Sequence, residues 1–212
     1  MPLPAPAPPE ASAVGLEPIA VELPRPMFEG TPRPLDEPNV EEPLGTLRPP
    51  FLAPEGTVNL AHRRPVSSSD PWPVIGELEA VTDGDKEATP GSFVELGPGT
   101  QWVQVDLDTT AVIYAIVVWH YHLQAHVYRD VVVQVAEDPD FTLGVTTVFN
   151  NDHDSSSGLG VGLDKGYVET FEGKLIDCKG VEGRYVRLYS QGNTSDDGNH
   201  YIEVEVYGQP VP

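Results

Sequence analysis

The sequence predicts an all-β chain, an antiparallel sandwich or barrel of about eight strands behind an extended proline-rich segment. Three observations carry this. Short β-branched runs recur, with turn residues between them, from residue 58 onward. No segment has the 3.6-residue period of an amphipathic helix. And 15 of the 23 prolines fall within residues 1–57.

The strongest strand signal is Gln101 to Ala136. In QWVQVDL, Val103, Val105 and Leu107 alternate with Gln104 and Asp106, the period of a half-buried strand. AVIYAIVVWHY is apolar on both faces, as a central strand is. DVVVQVA gives a third strand with Val131, Val133 and Val135 on one face. Shorter strands are expected near Val58, at Phe93–Leu96, at Thr146–Phe149, and in GYVETF and KLIDCKG. In GRYVRLYS, Val186 and Leu188 alternate with Tyr185, Arg187 and Tyr189. In YIEVEVYG, Ile202, Val204 and Val206 alternate with Glu203 and Glu205. The polar stretches between these runs read as loops.

Residues 1–57 differ in kind. Proline fixes φ and removes amide donors, so this arm is expected to be extended and to lack a core of its own. It still carries spaced apolar residues, and Leu23, Met27, Phe28, Leu47 and Phe51 are candidate anchors. A plain spacer needs no anchors, so the arm is read as one that lies on a partner, with a self-packed extension as the alternative. The organisation expected is an arm at 1–57, a sandwich at 58–208 and a tail at 209–212.

Charge narrows the partners. There are 33 acids against 12 basic residues, a net of −21. A phosphate backbone or anionic membrane would be repelled; cations and basic protein surfaces are the complement. The single cysteine, Cys178, excludes an intrachain disulfide and a CxxC metal site, and its apolar neighbours read as core. No apolar run is long enough to span a bilayer, which takes about 18 residues. MPLPAPAPPEA has neither the basic start nor the apolar core of a secretory signal. A cytosolic chain, a removed signal and another export route all stay open.

NLAHRRPVSSSD, VTDGDK, QWVQVDL, VVVQVAEDPDF, GRYVRLYS and IEVEVYG follow one another in that order. Together they resemble the discoidin-like family, the coagulation-factor type C domains, over roughly Val58 to Gly208. The resemblance implies the galactose-binding-like jelly-roll sandwich. It also implies a non-catalytic binding role outside the cytoplasm, in the periplasm or at the cell surface. Two departures stand out: the segment between Asp83-Gly84 and Trp102 is longer than usual, and the cysteine pair of many eukaryotic members is missing.

The same resemblance implies a structural Ca²⁺ between the Asp-Gly loop and the last strand. Its candidate ligands are Asp83, Asp85, Ile202 and Glu203, with Thr89 or Ser92 from the longer loop. Calcium takes six to eight hard oxygens, which such a set could supply. The bland reading is a turn in which Asp83 caps local amides.

A ligand- or partner-binding rim is expected at His120, Tyr121, His122, His126, Tyr128 and Arg129, which offer ring-stacking and hydrogen-bonding groups. His-x-His could also chelate a transition metal, though no completing acids can be placed. Asp152, His153 and Asp154 read as part of a surface loop, because no nucleophile motif accompanies them. Asn193-Thr194-Ser195 fits a glycosylation sequon. Arg184 and Arg187 are expected to pair with acids across the sheet.

No motif joins a nucleophile or base to a supporting group, so no enzyme activity and no organic cofactor are expected. Two roles follow. One is an assembly subunit that docks on a larger extracytoplasmic complex, such as a membrane redox or photosynthetic complex, held by its arm to a partner with a basic surface. The alternative is a carbohydrate-binding module that takes glycans in loops at one end of the sandwich.

Overall fold

The computed structural model describes residues 15–27 and 37–212. Ten strands and one 3-10 helix, Leu78–Thr82, make up the regular structure of these residues. Eight strands form the body: β3 (Val58–Asn59), β4 (Val66–Ser68), β5 (Val94–Leu96), β6 (Gln101–His120), β7 (Val132–Ala136), β8 (Thr146–Asn150), β9 (Lys174–Ser190) and β10 (Asn199–Pro210). All their pairings are antiparallel.

Two long strands make the sandwich. The first half of β6 pairs with β4 and with the end of β9, and β7 and β8 continue that layer. The second half of β6 pairs with β10 and with the start of β9, and β3 and β5 flank β10. QWVQVDL and AVIYAIVVWHY are therefore one strand of 20 residues rather than two. It bends where the register with β9 shifts, between Asp106 and Ala111, and Asp108 there has φ of 68°. Likewise KLIDCKG and GRYVRLYS are one strand of 17 residues, while GYVETF is not a strand. A bulge adds a residue without ending a strand, so sequence punctuation at these bends looks like a strand end.

The core lies between the layers. Val103, Val105 and Leu107 meet Ile113, Ile116, Val118, Val133, Val186, Leu188 and Val204, all fully buried. Cys178 joins this core at 5% exposure, and burial pushes its thiol up to about 12. In β10 the alternation breaks: a register shift between Tyr201 and Glu203 puts Tyr201, Val204 and Val206 inward and Ile202 outward. Arg184 makes the expected ion pair, with Nε and Nη2 donating to Asp106 at 2.7 and 2.9 Å. Arg187 instead donates to Gln104 Oε1 and lies between the rings of Trp102 and Phe141.

The outer face of the β6–β10 layer is covered by the chain itself. Ala115, Val117, Trp119, Ile202 and Tyr207 form a second buried cluster, against which Ile19, Val21, Met27 and Phe51 pack. Two arm segments, β1 (Leu16–Pro18) and β2 (Leu52–Pro54), pair with each other, a strand pairing that the proline content did not announce. Arg48 donates to the carbonyls of Gly173 and Glu172, and Tyr207 donates to the Ala20 carbonyl at 3.0 Å. Among the candidate anchors, Met27 and Phe51 thus hold the arm to its own sandwich; Leu23 and Leu47 are exposed. Phe28 lies outside the described residues.

Candidate functional site

Four connections meet at one end of the sandwich. Residues 97–100, 121–131, 151–173 and 191–198 each cross there from one layer to the other. The opposite end holds the bends of β6 and β9 and the 137–145 hairpin.

A polar and aromatic layer bolts these loops together. His120 Nδ1 lies 2.6 Å from Glu169 Oε1, and both residues are buried. The His120 ring stacks on Tyr128, with centroids 4.3 Å apart. Tyr128 in turn places its hydroxyl 2.9 Å from His200 Nδ1. His126 Nδ1 meets the Ser195 hydroxyl at 2.7 Å, and His122 Nε2 donates to the Lys86 carbonyl at 3.0 Å. Burial lowers the His122, His126 and His200 imidazoles below their usual range and raises the Tyr128 phenol well above its own. These groups are neutral at pH 7, as their burial requires.

Most of the expected rim is therefore this buried layer. His120, His122, His126 and Tyr128 are buried, because the loop folds inward over Glu169 and β10 instead of presenting them. Only Arg129 is exposed, and Tyr121 is half-buried beside Phe93. Asn193 of the sequon is buried too, its amide donating to Asp196 Oδ1 and the Gly198 carbonyl. That amide is thus engaged inside a turn.

Arg129 instead lines an open cleft of about 450 Å3 on the outside of the loop end. Its other walls include Asp130, Asn151, His153, Asp154 and Ser156, with Gln191 from the β9–β10 loop and Glu37 and Asn39 from the arm. Arg129 Nη2 donates to Glu37 at 2.8 Å, and the Ser156 hydroxyl donates to Asp130 at 2.8 Å. His153 Nε2 donates to the Asp164 carbonyl at 2.8 Å. Carboxylate oxygens of Asp130, Asp152 and Asp154 lie within 4.8 Å of one another. Burial raises the Asp130 carboxyl, and Asp152 and Asp154 add to the rise. Burial acts the same way on Asp152, but the hydroxyl and amide of Ser157 and the Ser156 amide outweigh it and hold that carboxyl below its usual range.

The sequence pointed to Arg129 but not to its company. Asn39, Glu37 and Gln191 carry no local signal, since only folding brings three remote segments together. A second cleft, of about 430 Å3, separates arm residues 41–48 from 167–175. Lys174 pairs with Glu41 across it at 2.6 Å, and the Arg48 guanidinium crosses it to the carbonyls of Gly173 and Glu172, so it reads as a seam between arm and body.

The Asp-Gly loop sits beside β10. The Gly84 amide donates to Glu203 Oε2 at 3.1 Å, while Glu203 Oε1 is buried with no hydrogen-bond partner among the described residues. Burial pushes the Glu203 carboxyl up to about 9, with Glu205 and Asp83 adding to the rise. The Lys86 ammonium, paired with Glu205 at 2.7 Å, offsets only part of this rise. Asp83 and Asp85 are exposed and cap the amides of Asp85 and Glu87. Ser92 Oγ donates to the Glu87 and Thr89 carbonyls, and the Ile202 side chain is in the outer cluster. Of the six candidate ligands, Glu203 is the one with a buried side-chain oxygen that lacks a hydrogen-bond partner among the described residues, and Glu205 and Asp83 are the acids close enough to act on its carboxyl.

No protein-family model and no curated protein sequence matches the chain. Solved structures do. A family 89 glycoside hydrolase from Clostridium perfringens, in complex with its substrate GlcNAc-alpha-1,4-galactose, matches at a TM-score of 0.53 and 17% identity over 73% of this chain and 15% of that one. A fucolectin from striped bass (Morone saxatilis) serum matches at 0.50 and 18% over 77% of this chain and 51% of that one. The match thus spans about half of the lectin and a small part of the hydrolase. These findings correct the expectation of an assembly subunit held to a partner by its arm: two of the solved structures that share the fold are a glycoside hydrolase and a fucolectin, and the described arm lies on its own body. The chain has the discoidin-like, galactose-binding-like fold, an antiparallel jelly-roll sandwich.

Proposed function

We propose that this chain is a carbohydrate-binding module that holds a glycan in the Arg129 cleft, without catalysis and outside the cytoplasm. The observation that carries this is the convergence of Arg129, Asp130, Asp154, Asn39 and Gln191 on one open cleft. Sugar hydroxyls both donate and accept, so a site that holds them mixes guanidinium, carboxylate and amide groups on a stiff support. The buried histidine layer supplies that support. The likeness to a fucolectin, and to a hydrolase solved with an amino-sugar disaccharide, supports the ligand class. The acids around Arg129 favour neutral or cationic sugars over uronic or sialic acids.

A glycan array tests this. Wild type should bind neutral or amino-sugar glycans, and Arg129→Ala and Asp130→Asn should each abolish the signal. A blank array for wild type, or hits that neither variant weakens, would overturn the reading.

We also propose a structural Ca²⁺ against Glu203, with Asp83 as its second acid. When bound, the ion would keep Glu203 ionised and tie the Asp-Gly loop to β10. The buried, unpartnered Glu203 Oε1 supports this.

A further inference from the structure

Trp72 is 85% exposed, and no other Phe, Tyr or Trp among the described residues is exposed. It stands between Pro71 and Pro73, with Val74 and Ile75 exposed beside it. Such a residue usually hangs on a loose loop, but this loop is pinned at several points. Asp70 accepts from the Trp72 amide at 3.0 Å, the Val74 amide donates to the Glu95 carbonyl at 2.7 Å, and the Glu95 amide returns a bond to Ile75 at 2.9 Å. Gly76 closes the loop at φ of 77°, and a Cβ there would come within 2.4 Å of the Phe93 carbonyl oxygen. The indole is thus held out in water by a fixed backbone.

The loop adjoins the loop end. The Ser69 hydroxyl donates to Gln101 at 2.6 Å, and the Asn199 amide holds the carbonyls of Gly97 and Gly99. Thr100 bonds to Gln191, which lines the Arg129 cleft. Residues 97–101 therefore connect Trp72 to the cleft wall along one rim.

We infer that Trp72 is a stacking platform for a second sugar ring, so that the ligand is an oligosaccharide lying across residues 97–101 rather than a single sugar. This rests on the carbohydrate reading and extends it. A Trp side chain offers about 150–250 Å² of surface, which suits one face of a pyranose ring, whereas a stable protein interface needs about 1,000 Å² or more. The net charge of −21 opposes an anionic lipid surface as the occupant.

The test is calorimetric binding of galactose, fucose and N-acetylglucosamine, and of linear oligosaccharides of three to about six units ending in each, alongside co-sedimentation with phosphatidylcholine vesicles. Wild type should bind oligosaccharides more tightly than monosaccharides. Trp72→Ala should lower oligosaccharide affinity about ten-fold and leave monosaccharide affinity unchanged. Trp72→Tyr should keep most of the gain, and since the side chain is in solvent both variants fold. Monosaccharide binding without any gain from chain length, or a gain that survives Trp72→Ala, overturns the platform alone. Vesicle binding lost in Trp72→Ala overturns it in favour of a lipid surface. A wild type that binds no saccharide overturns the carbohydrate reading and the platform with it.

Discussion

His120 Nδ1 and Glu169 Oε1 are 2.6 Å apart with both side chains closed to solvent, and this contact joins the end of β6 to the β8–β9 loop. A buried pair of this kind does little for stability against an apolar alternative, yet removing one partner strands the other. Glu169→Ala should lower the unfolding free energy by about 3 kcal/mol in urea titrations. Amides in 121–131 should then exchange hydrogen faster than those of β7. A loss below about 1 kcal/mol would mean that the loops are held by other contacts.

Acid should loosen the same end. His122, His126 and His200 all have folded-state affinities for protons below that of a free imidazole, which is near pH 6.5. The unfolded chain therefore takes up protons first as pH falls. The stability from these groups is present above about pH 6.5 and is lost on going lower. The melting midpoint should drop between pH 7 and 5, and the double variant His126→Gln, His200→Gln should show a shallower drop. The charged groups that face these rings are Glu169, Glu87, Glu95 and Asp196, and a slope left unchanged by the double variant would mean that the His126 and His200 imidazoles do not carry it.

Glu203 should act in the opposite sense. Its carboxyl is raised to about 9 against an unfolded value near 4.5, so the metal-free chain is favoured below about pH 4.5 and loses that stability as pH rises through 9. Adding Ca²⁺ at pH 8 should raise the melting midpoint by several degrees, and Glu203→Gln should both remove that response and flatten the alkaline loss. A midpoint indifferent to Ca²⁺ and to chelator at pH 8 would remove the ion from the account.

Phe51 packs beside Trp119 on the outer face of the β6–β10 layer. Phe51→Ala should cost about 2–3 kcal/mol, less than a fully enclosed Phe because the ring is half-buried. Deleting residues 1–57 should uncover Trp119 and shift its emission to the red. Unchanged emission would mean that the arm does not shield that face.

The sequence by itself determined the class of fold. Alternation in QWVQVDL and GRYVRLYS fixes which side chains face the core, because a strand has a side-chain period of two whatever it pairs with. It could not show that β6 and β9 are continuous through their bends, since a bulge changes register without interrupting the apolar pattern. Nor could it show that Ile202 faces outward, which the bulge in β10 decides. The site was legible only at Arg129. His120, His122, His126 and Tyr128 have the composition of a binding loop, and nothing local distinguishes an imidazole in solvent from one buried against Glu169, a residue 49 positions from His120. The same holds for the arm: its proline content argues against a core of its own, but whether Met27 and Phe51 lie on this chain or on another depends on the shape and apolar character of the surface available. Only the tertiary structure supplies that surface, in Trp119, Ile202 and Tyr207.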